Sequence, residues 1–577
     1  MITLDGSKQW DKFDFHYQAI DGNDEATLPF KLLVLGDFSL SDDNRMIHLL
    51  KPQRVDVLSF NRVLKSQNIS NDIEISLADD DGNLEYLDIE FSINSMDCFE
   101  PASLVQNIPY LKRHQLLMAK LSQIPPQEHI SSQLDDEELK LLVQCNIDIT
   151  ALNVAELPFV LCDINEHLYE ILDVILHHEC FQKLESIWRN LHQLVVCSDD
   201  VEHCIIEFLD ISQHQIQEDF DANRDVRDSV LFDVVYLQEF AQYGGQPYTA
   251  MVADYEFSAG AQDIALLRAI AKVANAAHAP FIGGVSPKFF ASTDFSNLAN
   301  VGDIEELITS PKYIKWRTLQ QDPIASYIGL ALPKIQLRNG YNFAAGALGP
   351  MPYEEDTRLT SDKVLLGNAS FAYGRCLINS FARYSVCTDI CGVQGGRVLP
   401  SCDNPADVNF PNFPIETVIS EQKIAQLGQI GFLPLSINKR INELIFNVAG
   451  SLRWGSLTIP MSRSTDELLH AQVEAQLPYL FVISRIAHYL KVVERDNVGS
   501  LKNVSELQSE LNRWLRRYVS DVENPAPGVR ARKPLKKAEV VLKKNEDESR
   551  HQLTVTVVPH MKYLGSDFVL ALDVLAQ

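Results

Sequence analysis

His177-His-Glu-Cys180 sets four residues of metal-binding type side by side. Successive side chains on a helix point about 100° apart, so four neighbours in a row cannot all reach one ion. The stretch reads as a helix end rather than a zinc site. Cys387-Thr-Asp-Ile-Cys391 places two thiols four residues apart. They would be neighbours on a helix, but the surrounding Val and Ile suggest a strand, and no redox or metal role is expected. Gly392-Val-Gln-Gly-Gly396 lacks the lysine of a phosphate loop and the spacing of a dinucleotide site, so it reads as a tight backbone turn. Neither Gly-x-Ser-x-Gly nor His-Glu-x-x-His occurs. The expectation is a chain with no catalytic residues, no metal ligands and no cofactor.

Charge is the stronger signal. The formal net charge is −28, which argues against nucleic-acid binding and against anionic membrane surfaces. Within this acidic chain, Arg530-Ala-Arg-Lys-Pro-Leu-Lys-Lys537 is strongly basic, and Lys543-Lys544 follows. Arg530, Arg532, Lys533, Lys536 and Lys537 are either a solvated face or a self-association patch for acidic surface on a neighbouring copy. Arg513, Arg516 and Arg517 precede them on the polar face of a helix.

The elements that must position these groups follow from periodicity. Phe13, Phe15, Tyr17 and Ala19 alternate with polar residues and predict a half-buried strand. Lys31 to Leu35 is dense enough in apolar residues for a strand covered on both faces. Leu84 to Ile93 alternates again, and Asp97 to Leu121 turns helical, with Pro109 bending or delaying the helix. Residues 122–160 are acidic and punctuated by Pro125-Pro126, as expected of a connector. Residues 163–220 read as mostly helical, with Leu168, Ile171, Leu172, Ile175 and Leu176 as the apolar stripe. Thr249 to Ala253, Pro280 to Ile282 and Tyr327 to Leu332 read as strands between helices, so a mixed or parallel sheet is expected. Residues 339–365 and 395–412 read as loops, the first an exposed excursion. Two helices follow, one striped by Leu480, Ile483, Ile486 and Leu490, the other by Val504, Leu507, Leu511, Trp514, Leu515 and Tyr518. Asn503 with Glu506 suggests a capping box for the second. The end returns to strands over Glu539 to Lys543, Gln552 to Val558 and Asp567 to Leu575. Strand-rich ends can complete this chain's own sheet or add to the sheet edge of a neighbour. The residues at stake are Phe13, Phe15, Tyr17, Val555, Val557, Val569 and Leu570.

The start lacks a basic region followed by an apolar run, so no signal peptide is expected. No stretch reaches the roughly 18 apolar residues of a spanning helix. Ten cysteines form no paired framework, as expected of a reducing cytoplasm.

Leu28-Pro-Phe-Lys-Leu-Leu-Val-Leu-Gly-Asp-Phe-Ser39 resembles the signature of TssB, the small subunit of the type VI secretion sheath. Arg54 to Leu64 and Asp97 to Leu121 extend that likeness. A longer series resembles the large subunit, TssC. It includes Phe181 to His192, Tyr243-Gly-Gly-Gln-Pro-Tyr248, Ala253 to Phe257, Lys315-Trp-Arg317, Phe381-Ala-Arg-Tyr384 and Ser484-Arg-Ile-Ala-His-Tyr-Leu-Lys491. The resemblance implies a fused heterodimer of mixed α/β fold, with interlacing terminal strands. Its expected parts are a small-subunit part over 1–121, an acidic connector over 122–160, and large-subunit domains over 161–400 and 401–577.

The resemblance further implies a cytoplasmic, non-enzymatic protomer. Such a protomer polymerises with itself around an inner tube of hexamers, docks on a membrane-anchored baseplate without inserting in the membrane, and contracts. Arg513, Arg516 and Arg517 would then face the inner tube. A AAA+ ATPase disassembles such sheaths by recognising a free N-terminal segment of the large subunit. Here that region is tethered inside residues 122–160, and no recognition motif is matched there. The small-subunit part also stops short of the usual helical tail. The alternatives are a sheath-derived baseplate or cap adaptor that forms rings, and an α/β enzyme using Cys387 and Cys391 or His177 and His178.

Overall fold

A computed structural model describes residues 16–18, 25–40, 47–78, 84–123, 134–145, 147, 157–242, 244–341, 353–355, 363–398, 414–438, 443–458, 471–472, 474–497, 504–522, 525, 529, 533–544, 551–559 and 570–575. The N-terminal block supplies strands β1 (His16–Gln18), β2 (Glu25–Thr27), β3 (Phe30–Gly36), β4 (Gln53–Val55), β5 (Ile69–Ala78) and β6 (Leu84–Ile93). The middle supplies β7 (Cys204–Asp210), β8 (Ala250–Phe257), β9 (Phe281–Val285), β10 (Ile328–Leu332), β11 (Ile335–Gln336), β12 (Leu366–Gly367) and β13 (Arg397–Val398). Further on lie β14 (Leu433–Asn438), β15 (Glu443–Phe446), β16 (Leu535–Lys544), β17 (His551–Pro559) and β18 (Leu570–Leu575).

A mixed nine-stranded sheet organises the body, in the order β13-β15-β14-β10-β9-β8-β3-β7-β4. β3 runs parallel to both its neighbours, with Leu33 opposite Glu207 on β7 and opposite Met251 on β8. All seven of its residues are buried, as the apolar density of Lys31 to Leu35 predicts for a doubly covered strand. A strand from the small-subunit-like block therefore lies inside a sheet otherwise built largely by the large-subunit-like block. β4, from the same block, closes the edge antiparallel to β7.

The Glu179–Ser198 and Ala369–Tyr384 helices pack against each other and on the sheet. Trp188 of the first meets Phe38 and Phe208 edge-on, at 5.2 and 5.7 Å between ring centres. The β5–β6 hairpin buries Ile73, Ile75, Ile89, Phe91 and Ile93, and Phe91 packs on Phe181 at 5.5 Å. Residues of both blocks share this one large core.

Several expectations need correction. The 163–220 region is broken by strand β7, whose Ile206, Phe208 and Leu209 are buried. Cys387 to Cys391 is a bend rather than a strand, leading into a helical turn at Gly392–Gly395. Both thiols are pushed up by burial, so neither is a ready nucleophile. Pro109 neither bends nor delays one long helix. It sits at the first position of a second helix, Pro109–Leu121, after Pro101–Asn107 ends. Residues 339–365 are not wholly an exposed excursion, because Tyr353, Glu355 and Leu365 are buried. Between the blocks, the Asp136–Gln144 helix carries a capping box of Asp135 and Glu138, and it buries Leu141 and Leu142 in a small core with Leu117 and Leu121. Asn503 lies outside the described residues.

The placement of β3 yields a direct expectation. A protease site inserted between Gln123 and Leu134 and then cut should leave the two fragments co-eluting as one body, separating only in denaturant. Separation in native buffer would contradict the burial of β3 on both faces.

Candidate functional site

Three polar contacts seat β3 and the turn after it. Phe38 N and Ser39 Oγ both donate to the Asp210 carboxylate, each at 2.7 Å. Trp188 Nε1 donates to Phe38 O at 2.9 Å. Gly36 leaves room for this approach, since a Cβ there would lie 2.4 Å from Ile187 Cδ1.

Lys31 is buried with its ammonium 2.6 Å from Glu239 Oε1 and 3.2 Å from Glu207 Oε2, and 4.2 Å from the centre of the Tyr248 ring. Tyr248 donates its hydroxyl to Glu207, and burial with these carboxylates nearby holds its phenol far above the usual range. A buried charge of this kind is tolerable only when paired on several sides.

The Leu477–Asn497 helix grips the other end of β3. Arg485 is buried and donates to Leu28 O and, at 2.6 Å, to Pro29 O. Burial lowers its pKa to about 10, so it remains a cation at neutral pH. Further along the same helix, His488 Nε2 donates to Ala277 O at 2.8 Å, Lys491 donates to Ala276 O at 3.1 Å, and Arg495 donates to Glu239 O at 3.0 Å. Burial holds His488 down to about 3, so it is a neutral donor. The conspicuous motifs of the two blocks thus touch: the Leu28 to Ser39 block meets Trp188, Tyr248 and Arg485 directly.

These motifs also match family models in chain order. Residues 12–144 match the model described as "Type VI secretion system, VipA, VC_A0107 or Hcp2". Residues 159–453 match "EvpB/VC_A0108, tail sheath N-terminal domain", and residues 466–575 match "EvpB/VC_A0108, tail sheath gpW/gp25-like domain". The type VI secretion system sheath protein TssC1 of Pseudomonas aeruginosa is 32% identical over 405 residues, which are 68% of this chain and 80% of that protein. The chain belongs to the type VI secretion sheath family. It joins a VipA-like and a VipB-like part in one polypeptide, and the family it matches is one of sheath proteins. A solved structure of the anti-feeding prophage baseplate aligns over 67% of this chain and 77% of that one, at 9% identity and a TM-score of 0.32. No helix among the described residues is long and apolar enough to cross a membrane.

The VipB-like C-terminal region carries the expected basic groups. The Val504–Arg516 helix buries Leu511, Trp514 and Leu515, the turn after it buries Tyr518, and Trp514 stacks on Tyr489 with ring centres 3.8 Å apart. Its opposite face exposes Arg513 and Arg516, and the turn after it exposes Arg517. Burial of the aromatics and exposure of the arginines therefore coexist on one helix. Arg513 and Arg516 share a groove of about 1190 Å³ with Lys536 and Lys537 of β16. Two basic groups that stand apart in sequence form one surface. Arg517 does not line that groove, Lys533 is exposed, and Arg530 and Arg532 lie outside the described residues.

The terminal strands pair within the chain. β1 and β2 form a hairpin, with Tyr17 opposite Ala26. β16-β17-β18 form a separate antiparallel sheet, in which Val555 faces Val540 and Leu572, and Val557 faces Ala538 and Leu570. Phe13, Phe15 and Val569 lie outside the described residues.

Sequence reasoning missed an ion network around His177. His177 Nε2 lies 2.9 Å from Glu355 Oε1, and its Nδ1 donates to Asp173 O at 2.7 Å. Arg338 bridges Glu355 at 2.6 Å and Glu185 at 2.8 Å, and Lys363 holds Asp173 at 2.6 Å. The partners are up to 190 residues apart, so no local pattern announces them. Burial alone would lower the His177 pKa, but hydrogen bonds and charge from Asp173 and Glu355 raise it to about 9. Burial alone would raise Glu355, but His177 and Arg338 bring it down to about 2.

Two outcomes follow. Arg485→Met should destabilise the fold by about 2–5 kcal/mol in urea denaturation, because two buried carbonyls lose their donor. An unchanged midpoint would mean that β3 is held without Arg485. The His177 contribution is complete below its ordinary pKa of 6.5 and is lost as pH rises through about 9, whereas the Glu355 contribution is present above 4.5 and lost as pH falls through about 2. Urea midpoints followed from about pH 6 to about pH 10 should fall, and His177→Gln should flatten that limb.

Proposed function

We propose that this chain is a self-contained sheath protomer, which polymerises into a tube in the cytoplasm and contracts to propel an inner tube. The observation that carries this reading is the position of β3. A VipA-like strand paired on both edges inside a largely VipB-like sheet makes the chain a pre-assembled unit, with one copy of each part and the high effective concentration of a tether.

The outer edge of β16 already meets Val519 through a bridge at Leu535 and the Asn512 side chain at Val540, but β18 and the strands of the β1–β2 hairpin pair on one side only among the described residues. They suit strand addition from neighbouring copies. Main-chain hydrogen bonds of that kind would keep copies linked while the bodies rotate. In this reading Phe13, Phe15, Tyr17, Val555, Val557, Val569 and Leu570 belong to the linking strands.

Arg513, Arg516 and Arg517, with Lys533, Lys536 and Lys537, would face acidic surface on the inner tube or on the next copy. The expected partners are this chain itself, the hexameric inner tube and a baseplate. Recycling by a AAA+ ATPase would need access to residues 122–160, within which Leu134, Leu141 and Leu142 are buried.

Electron microscopy of the full chain should show hollow tubes, and deletion of residues 1–20 should abolish them while leaving a folded monomer. Rings alone would favour a cap or baseplate adaptor. The double variant Arg513→Glu with Arg516→Glu should weaken inner-tube co-sedimentation more than it weakens folding, and unchanged co-sedimentation would move the tube-facing surface elsewhere.

A further inference from the structure

His114, Cys145 and His167 come from three different parts of the chain and converge. One ligand atom from each lies within 4.8 Å of the other two. His114 sits on the Pro109–Leu121 helix of the VipA-like part, and Cys145 caps the Asp136–Gln144 helix. His167 lies on Leu157–Leu176, the first VipB-like helix.

The His114 ring is 0% exposed. Its Nδ1 faces the Tyr110 carbonyl at 3.1 Å, and a carbonyl can only accept, so the proton is on Nδ1 and the lone pair is on Nε2. That Nε2 is buried with no hydrogen-bond partner among the described residues. Leaving a buried acceptor without a donor is unfavourable. A ring fixed by a backbone carbonyl, with its other nitrogen presented inward, is also how a histidine is oriented for a metal.

His167 lies 5.5 Å from His114 between ring centres, and its Nδ1 is 4.0 Å from Glu170 Oε2. Asp163, one turn before His167, is close enough to act electrostatically on Cys145. Burial pushes the Cys145 thiol up to about 12, so it holds its proton until a cation arrives.

We propose that His114, Cys145 and His167 form a binding site for a zinc-type divalent cation, which staples the VipA-like part to the start of the VipB-like part. Two imidazoles and one thiolate supply three corners of a tetrahedral donor set, with water completing it. Zinc bonds of ordinary length set ligand atoms roughly 3.3–3.8 Å apart, so the cluster needs to close by only about an ångström. Binding exchanges the thiol proton for the metal and releases it to solvent. The site is independent of whether the chain forms tubes.

The test uses the full chain stripped with a chelator and titrated with zinc, then with cobalt. One equivalent should bind, with release of a proton and, for cobalt, the visible bands of a tetrahedral complex together with thiolate charge transfer. Cys145→Ser should abolish the charge-transfer band and weaken zinc binding at least roughly tenfold. His167→Gln, at a partly exposed position, should weaken it similarly and serves if the first variant fails to fold. Cys162→Ser, at an exposed thiol on the same helix as His167, should change nothing. Failure to bind one equivalent, or affinity unchanged in the His167 variant, would overturn the site.

Discussion

The burial of β3 on both faces and along both edges is the constraint from which the rest follows. A parallel strand in mid-sheet gives and receives main-chain hydrogen bonds on two sides. Removing it would expose a row of unpaired groups on β7 and β8 and open the apolar interior between Trp188, Phe208 and the sheet. Neither sheath part can complete its core without the other. Fusion therefore supplies, within one molecule, a strand that two separate chains would have to bring together by collision.

The polar groups around β3 act on its register. Parallel strands rich in Leu and Val can slip, and apolar packing alone discriminates weakly between neighbouring registers. Lys31 among Glu207, Glu239 and Tyr248 fixes one point, and Asp210 under Phe38 and Ser39 fixes a second. Arg485 on the carbonyls of Leu28 and Pro29 fixes a third. A slip by one residue would strand a buried charge at each of these points, and that penalty is steep.

The periphery is built more loosely. Tyr489, Trp514, Leu515 and Tyr518 pack with Leu28 in a second core, and the Asp136–Gln144 helix shares a third around Leu117, Leu141 and Leu142. The basic groove and the terminal strands belong to this outer layer, and the β3 interlock belongs to the inner one.

Periodicity and composition alone determined much of this protein: a doubly covered strand at Lys31 to Leu35, the alternation of Ile89, Phe91 and Ile93, the stripe from Leu168 to Leu176, and the amphipathic helix of Trp514. Those features are local, since a strand or helix records its buried face within ten or twenty residues. The motifs also carried the family. Strand β7 escaped because the acidic and helical residues around it masked a short run, and the bend at Cys387 escaped because Val and Ile suit strands and buried bends alike. Only the tertiary structure decided which strand β3 would pair with, that His177 would meet Glu355, that Arg513 and Arg516 would share a groove with Lys536 and Lys537, and that His114, Cys145 and His167 would converge. Each of these joins residues from separate elements, and contacts of that kind are set by how whole faces pack, which no short window of sequence contains.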